Sequence, residues 1–241
     1  MRSEIYQLYQ YDFIQYIALK YDFIQYNTLK PKLILYQKRV WKSMKEKLVA
    51  ITGDKGGVGK STLTALLAEW LLHHNYPLKI IDADPNQSTQ TWIDKCSEKG
   101  RTINSGTLIT IVDTAGTSGS SLSKYIRNAD LILVPFKPHV ADLEVIVAWF
   151  LSLKESLQER IYFIPNMISN TKEQRLGVAE LENIINEEGR GKILSGLAER
   201  KAVYPILFNG SLTNFFETKL DSKTKTETTN LFNAIVEILT N

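Results

Sequence analysis

The stretch DKGGVGKST, at residues 54–62, constrains the fold of this chain more than any other part of the sequence. It follows an apolar run at residues 48–52 that is typical of a buried strand. It precedes an amphipathic pattern over Lys60–His73 that is typical of a helix. A glycine-rich turn between a strand and a helix lets backbone N–H groups approach an anion, and the helix dipole favours negative charge there. This order of elements predicts a phosphate-binding loop.

Each part of this loop has a predicted task in binding ATP and Mg²⁺. Backbone N–H groups would surround the phosphates, Lys60 would neutralise the β- and γ-phosphates, and Ser61 would offer its hydroxyl to the metal ion. The strict pattern G-x-x-x-x-G-K-[ST] fails only at its first position, because Asp54 stands five residues before Gly59. The loop residues predicted to bind ATP are Gly56, Gly57, Val58, Gly59, Lys60, Ser61 and Thr62.

Apolar runs and amphipathic stretches alternate along the rest of the chain. We predict further strands at residues 78–81, 108–112, 131–136 and 161–165, and further helices around 145–153, from 171 to about 187 and at 225–239. Buried strands separated by helices are typical of an α/β fold with a doubly wound, mainly parallel sheet flanked by helices. In such a sheet ligands bind at the carboxyl ends of the strands, which is where the polar motifs of this sequence fall.

The segment KGGVGKST resembles the deviant Walker A box of the ParA/MinD family of P-loop ATPases, a SIMIBI-like group, and the compact plasmid-type ParA partition proteins in particular. The resemblance implies a P-loop NTPase fold and slow hydrolysis of ATP to ADP and phosphate. It also implies a reason for the extra lysine of the loop, Lys55. This side chain would reach across an ATP-dependent homodimer, bind the ATP of the other subunit and act in catalysis by stabilising phosphate charge.

Two acidic segments resemble further motifs of the same family. In IIDADPNQSTQTW, Asp82 would lie beside the Mg²⁺ shell and Asp84 would position or activate the attacking water. In ITIVDTAG, Asp113 would bind a water on Mg²⁺, and Gly116 would allow the following loop to move. The implied magnesium site therefore consists of Ser61, Asp82 and Asp113, with the two aspartates acting through water.

Two parts of the site that the resemblance implies stay open. Family members usually have Gln-Gly after the proline of the first acidic motif, whereas this chain has Asn86-Gln87. The conformation of that loop, and the hydrolysis rate, are therefore open. Asn166 follows IYFIP, where the family places an adenine-contacting asparagine, so Asn166 is a further candidate for binding ATP. An ordinary turn residue is the alternative there.

The chain also divides in charge and composition near residue 44. Its net charge is +3, but residues 1–43 carry seven Lys/Arg against three Asp/Glu, so the remainder is slightly acidic. Residues 11–30 contain a tandem repeat, YDFIQYIALK followed by YDFIQYNTLK. We predict that residues 44–241 are the ATPase domain and that residues 1–43 are an extension, poorly structured or a start-site artefact. A tyrosine-rich arm that binds DNA or a partner is the alternative.

Plasmid or chromosome partition is the function that the resemblance implies. The ATP-bound homodimer would bind DNA nonspecifically, and a ParB-like centromere-binding protein would stimulate hydrolysis. The protein would be cytoplasmic, and nucleoid-associated when ATP-bound. We expect no membrane binding, because the C-terminal segment TTNLFNAIVEILTN lacks Lys and Arg. A solvated basic surface is the alternative for every candidate DNA contact, namely Arg190, Lys192, Arg200, Lys201, Lys219, Lys223 and Lys225.

Other functions of the same loop stay open. They are a MinD-like ATPase, a cargo-positioning or conjugation ATPase, and a metabolic ligase such as one for dethiobiotin or cobyrinic acid amide synthesis. Amidation usually needs a nucleophilic cysteine, and the single cysteine, Cys96, lies in the polar segment IDKCSEKG without a strand-turn-helix elbow. An iron–sulfur reductase would need paired cysteines.

Overall fold

The strands of this chain form one parallel sheet, as the apolar runs predict. A computed structural model describes residues 45–53, 55–115, 120–201, 204–210 and 221–240. Over these residues the sheet has the order β2-β3-β1-β4-β5-β6, and each neighbouring pair is parallel. The strands are β1 (Lys47–Ile51), β2 (Leu78–Ala83), β3 (Ile109–Thr114), β4 (Leu131–Phe136), β5 (Ile161–Pro165) and β6 (Lys192–Ile193). The predicted N-terminal extension, Asp54, Gly116 and Lys219 lie outside the described residues.

Helices connect the strands, so the prediction of a doubly wound α/β fold is confirmed. They are α1 (Lys60–His73), α2 (Ser88–Glu98), α3 (Ser120–Asn128), α4 (Val140–Ser152), α5 (Glu155–Gln158), α6 (Lys172–Glu188), α7 (Tyr204–Leu207) and α8 (Ser222–Thr240). The sequence patterns give α1, β4 and β5 with their observed bounds. They miss α2 because it is mostly polar and buries only Thr89, Trp92 and Cys96.

Apolar side chains of the central strands fix the positions of the strand ends. Ala50, Ile132, Val134 and Phe163 belong to a buried cluster to which α4 and α6 contribute. Within it the Phe163 ring lies 5.4 Å from the ring of Phe150, in an edge-to-face arrangement that favours aromatic pairs. A close-packed cluster of this kind makes the carboxyl ends of the strands a rigid platform.

The last helix, α8, is also part of the core. Its apolar side chains are buried as the sequence predicts, and Phe232 packs against Trp70 of α1 with 6.0 Å between the ring centroids. The apolar face of α8 is therefore covered by the protein itself. None of the described helices is long and apolar enough to cross a membrane.

The start of α6 forms only part of a capping box. The Thr171 hydroxyl accepts a hydrogen bond from the backbone N–H of Gln174 at 3.2 Å. The Gln174 side chain accepts from the backbone N–H of Ser169 at 2.8 Å instead of returning to Thr171. Asn170, between Ser169 and Thr171, has φ 58° and so lies in the left-handed region.

Candidate nucleotide-binding site

The glycine-rich loop follows β1 and ends at the first residue of α1, as predicted. Gly59 caps α1 in the left-handed conformation, with φ 96°. Lys60 is only 8% exposed, and its Nζ donates a hydrogen bond to the backbone oxygen of Lys55 at 3.1 Å. The ammonium group therefore lies against the loop at the positive end of α1. A cation and a helix N-terminus at one point favour binding of an anion such as phosphate.

Asn166 braces this loop from the end of β5. Its Nδ2 donates to the backbone oxygen of Val58 at 2.8 Å, and its side chain is buried. A Cβ atom added to Gly59 would overlap the Asn166 amide nitrogen, so the close approach requires a glycine. The contact with adenine stays a prediction. The contact with the loop is a function of Asn166 that the sequence did not reveal.

The extra lysine of the loop has a partner within the same chain. Lys55 forms an ion pair with Asp142, which lies in the first turn of α4. The Lys55 side chain is 50% exposed, whereas that of Asp142 is 11% exposed. The role of Lys55 at a second subunit stays a prediction. Asp142 is a site residue that sequence reasoning missed, because no motif links it to the loop.

The first acidic motif forms a loop held by its own carboxylates. Asp82 accepts hydrogen bonds from two backbone N–H groups, that of Asp84 at 2.9 Å and that of Gln90 at 2.8 Å. Asp84 accepts one from the backbone N–H of Asn86 at 2.9 Å. Gln87 follows with φ 51°, so it takes the left-handed conformation that a glycine adopts without strain. The loop thus keeps a glycine-like turn without the glycine.

Asp113, at the end of β3, is the most buried acid of the site. The Thr89 hydroxyl donates to its Oδ2 at 2.6 Å, while Oδ1 has no hydrogen-bond partner among the described residues. Burial raises the pKa of Asp113 to about 6, and the Thr89 and Ser61 hydroxyls oppose this shift. A buried oxygen without a partner is costly unless a cation or water meets it. Asp113 beside Ser61 therefore fits a hydrated Mg²⁺ ion.

Most of the predicted DNA contacts that the structure describes already have partners. Arg190 lies 3.2 Å from Glu188 and 3.3 Å from Glu155, and Arg200 lies 3.2 Å from Glu227. These arginines therefore form intramolecular ion pairs. Among the candidates, Lys223 and Lys225 are exposed and lie on α8.

Cys96 does not offer a reactive thiol. It is fully buried in α2, and burial raises its pKa. Its sulfur lies 3.5 Å from a guanidinium nitrogen of Arg101, which also forms an ion pair with Glu69 at 2.7 Å. A buried thiol with a raised pKa is a poor nucleophile, so Cys96 does not favour the amidation alternative.

Comparison with known proteins gives a family match over most of the chain. The sequence matches CbiA, the CobQ/CobB/MinD/ParA nucleotide binding domain, over residues 49–212. Protein ParA of Rhizobium radiobacter is 30% identical over 115 residues, which are 41% of this chain and 52% of that relative. The chain therefore spans about half the length of this curated relative.

Solved structures share the fold. A candidate plasmid partition protein from Borrelia burgdorferi B31, bound to AMPPNP, has a TM-score of 0.59 and 17% identity, covering 80% of this chain and 99% of that chain. The cell division protein MinD of Aquifex aeolicus has a TM-score of 0.59 and 16% identity, covering 79% and 97%. These likenesses show the P-loop α/β fold, and the family match covers well over half of the residues. The chain belongs to the CobQ/CobB/MinD/ParA family of nucleotide-binding domains.

Proposed function

We propose that this chain is a slow ATPase of the ParA type that partitions plasmid or chromosomal DNA. ATP and Mg²⁺ would drive formation of a homodimer that binds DNA nonspecifically, and a ParB-like partner would stimulate hydrolysis and release. The observation that carries the proposal is the pair of lysines in the phosphate loop. Lys60 is buried against the loop backbone, whereas Lys55 is half exposed and able to reach another molecule.

The phosphates of ATP would lie against the loop amides and Lys60. Lys55 would exchange Asp142 for the phosphates bound by the second subunit, since both partners are anions. Asn166 would support the loop and lie near the adenine. The other loop residues proposed to contact ATP are Gly56, Gly57, Val58, Gly59, Ser61 and Thr62.

The acidic side of the site would hold the metal ion and the attacking water. Ser61 and Asp113 would bind hydrated Mg²⁺, and Asp82 would face its outer shell while holding the start of α2. Mg²⁺, when bound, would neutralise charge on the phosphates. Asp84 would position the water through the carboxylate oxygen that does not accept from the backbone N–H of Asn86.

Two observations favour DNA over a membrane as the surface that the dimer binds. The apolar face of α8 is buried in the protein, so it is not available to lie in a lipid interface. Lys223 and Lys225 are exposed in the first turns of the same helix and would contact phosphates of DNA. The protein would then be cytoplasmic and nucleoid-associated when bound to ATP.

Sedimentation with DNA of unrelated sequence tests the proposal. We expect binding with ATP and Mg²⁺, and little binding with ADP. Lys60→Ala should lose nucleotide binding, and Lys55→Ala should bind ATP yet elute as a monomer. Lys79→Ala, which removes an exposed lysine of β2, is the matched control and should behave as the unaltered chain. DNA binding that does not depend on the nucleotide, or dimers of Lys55→Ala, would contradict the proposal.

A deletion tests the proposed domain boundary. We propose that residues 44–241 are sufficient for nucleotide binding and that residues 1–43 are an extension. The shortened chain should match the full chain in ATP affinity and melting temperature. A collapse of both quantities would refute this boundary.

A further inference from the structure

Thr89 makes a contact that none of the motifs explains. It lies in the first turn of α2, is fully buried, and donates a hydrogen bond to Asp113 Oδ2 at 2.6 Å. The two residues are 24 positions apart in the sequence and belong to different elements. A buried hydroxyl that donates to a carboxylate forms a short, charge-assisted hydrogen bond. Thr89 therefore restrains Asp113 more strongly than apolar packing alone would.

The first turn of α2 is tied to two strand ends at once. The residue after Thr89, Gln90, donates its backbone N–H to Asp82 Oδ2 at 2.8 Å. The N-cap residue Gln87 provides no side-chain cap, so Asp82 satisfies a backbone donor that the helix start leaves open. Because of these two bonds, the start of α2 stays in register with the ends of β2 and β3.

The bond from Thr89 decides which oxygen of Asp113 remains available. Oδ2 accepts from Thr89, whereas Oδ1 completes no hydrogen bond within the described residues, although the Ser61 hydroxyl also acts on this carboxylate. We infer that Thr89 is a positioning residue that orients the Asp113 carboxylate, so that Oδ1 is presented to hydrated Mg²⁺ at the nucleotide site. This inference rests on the proposed function, because it assigns a support to the magnesium site proposed there.

The same bond connects the metal site to the loop that carries Asp84. Thr89 follows Asp84 by five residues, and the intervening loop is held by hydrogen bonds to the carboxylates of Asp82 and Asp84. A movement of this loop would shift the start of α2 and with it the hydroxyl that donates to Asp113. Thr89 thus couples the position of the loop to the orientation of the metal-binding carboxylate.

Removal of the hydroxyl at constant shape tests the inference. Thr89→Val keeps the branched side chain without the donor, and Thr89→Ser keeps the donor. The measurement is the affinity for a fluorescent ADP analogue, with Mg²⁺ titrated and with EDTA, together with the melting temperature. We expect Thr89→Val to raise the Mg²⁺ concentration for half-maximal effect about tenfold, the order expected for one hydrogen bond to a charged group. Affinity in EDTA should change less than about twofold, as for a residue remote from the phosphates.

Thr89→Ser provides the decisive control, because it should restore the Mg²⁺ dependence of the unaltered chain. An unchanged Mg²⁺ dependence in Thr89→Val, or a serine variant that behaves like the valine variant, would show that Thr89 only packs and would overturn the inference. Thr89→Ala compared with Thr89→Ser gives the same test if the valine variant does not fold. Failure of the unaltered chain to bind ADP would instead refute the proposed site, and the inference with it.

Discussion

The phosphate-loop side of the site and its acidic side differ in how well their polar groups are satisfied. On the loop side, Asn166 pairs with the Val58 carbonyl, and Lys55 pairs with Asp142. On the acidic side, Asp113 keeps a buried oxygen without a partner in the described chain, and Gln87 holds a strained backbone conformation. Strain and buried charge persist at sites where they serve a function. Substitutions that remove loop-side contacts should therefore destabilise the nucleotide-free protein. Substitutions that remove the buried charge or the backbone strain on the acidic side should stabilise it.

The largest expected effect is on the loop side, from Gly59→Ala. The new Cβ would overlap the Asn166 amide, and the alanine would have to adopt φ 96°. Left-handed strain and the loss of the buried hydrogen bond together lower the free energy of unfolding by about 4 kcal/mol. Gly100→Ala is the matched control, because Gly100 has φ 73° but open space around its Cβ position. Urea unfolding measures both variants, and equal losses would show that the Asn166 contact is unimportant.

The next effect has the opposite sign and depends on pH. Burial raises the folded-state pKa of Asp113 from its ordinary value of 3.8 to about 6. The folded chain then binds this proton more tightly than the unfolded chain, so stability falls as the pH rises from about 4 to about 6. Asp113→Asn should be more stable than the unaltered chain by about 3 kcal/mol at pH 7.5 and by almost nothing near pH 4.

Thermal unfolding over this pH range measures the difference between the two chains. Asp94→Asn, at an exposed position on α2, is the control for the chemical change from Asp to Asn. A difference for Asp113→Asn that stays constant from pH 4 to pH 7.5 would contradict the assignment of the cost to a buried charge.

A smaller loss is expected from Asn166→Ala. It leaves the Val58 carbonyl without its donor, which lowers stability by about 2 kcal/mol. Since the loop would contact the phosphates, which ATP and GTP share, the affinity for both nucleotides should fall by the same factor. Calorimetric titration with both nucleotides checks this, with Asn183→Ala on the exposed face of α6 as the control. A loss confined to ATP would favour the adenine contact over the loop brace.

The smallest effect is a gain on the acidic side, from Gln87→Gly. Glycine adopts φ 51° without strain, although it loses more backbone entropy on folding. The net stabilisation should be about 0.5–1 kcal/mol. Gln87→Ala keeps the Cβ and should bring no gain. If both variants stabilise equally, the side chain of Gln87 and not its backbone conformation is the source of the cost.

The sequence predicted those parts of the site that depend on local signals. Glycine spacing between a strand and a helix locates the phosphate loop, and apolar runs locate the ends of β2 and β3 where Asp82 and Asp113 lie. The departure from Gln-Gly at Asn86-Gln87 also pointed to the position where strain is found.

The supports of these residues could not be predicted, because they come from distant parts of the chain. Asn166 reaches Val58 over 108 positions, Lys55 reaches Asp142 over 87 and Thr89 reaches Asp113 over 24. Such contacts follow from the sheet order and not from any local pattern. The candidate DNA contacts show the same limit, since the ion pairs of Arg190 and Arg200 depend on which elements pack together.

The ion pair between Lys55 and Asp142 has a consequence for a subunit that is alone. A half-exposed pair of this kind contributes about 1 kcal/mol or less, so thermal motion breaks it often and salt weakens it. The ion pair therefore lowers the affinity of Lys55 for other anions without fixing its side chain in one position. A solitary subunit thus keeps the half-exposed lysine of its phosphate loop partly neutralised, and rising ionic strength should weaken this ion pair as well as the proposed attraction to DNA.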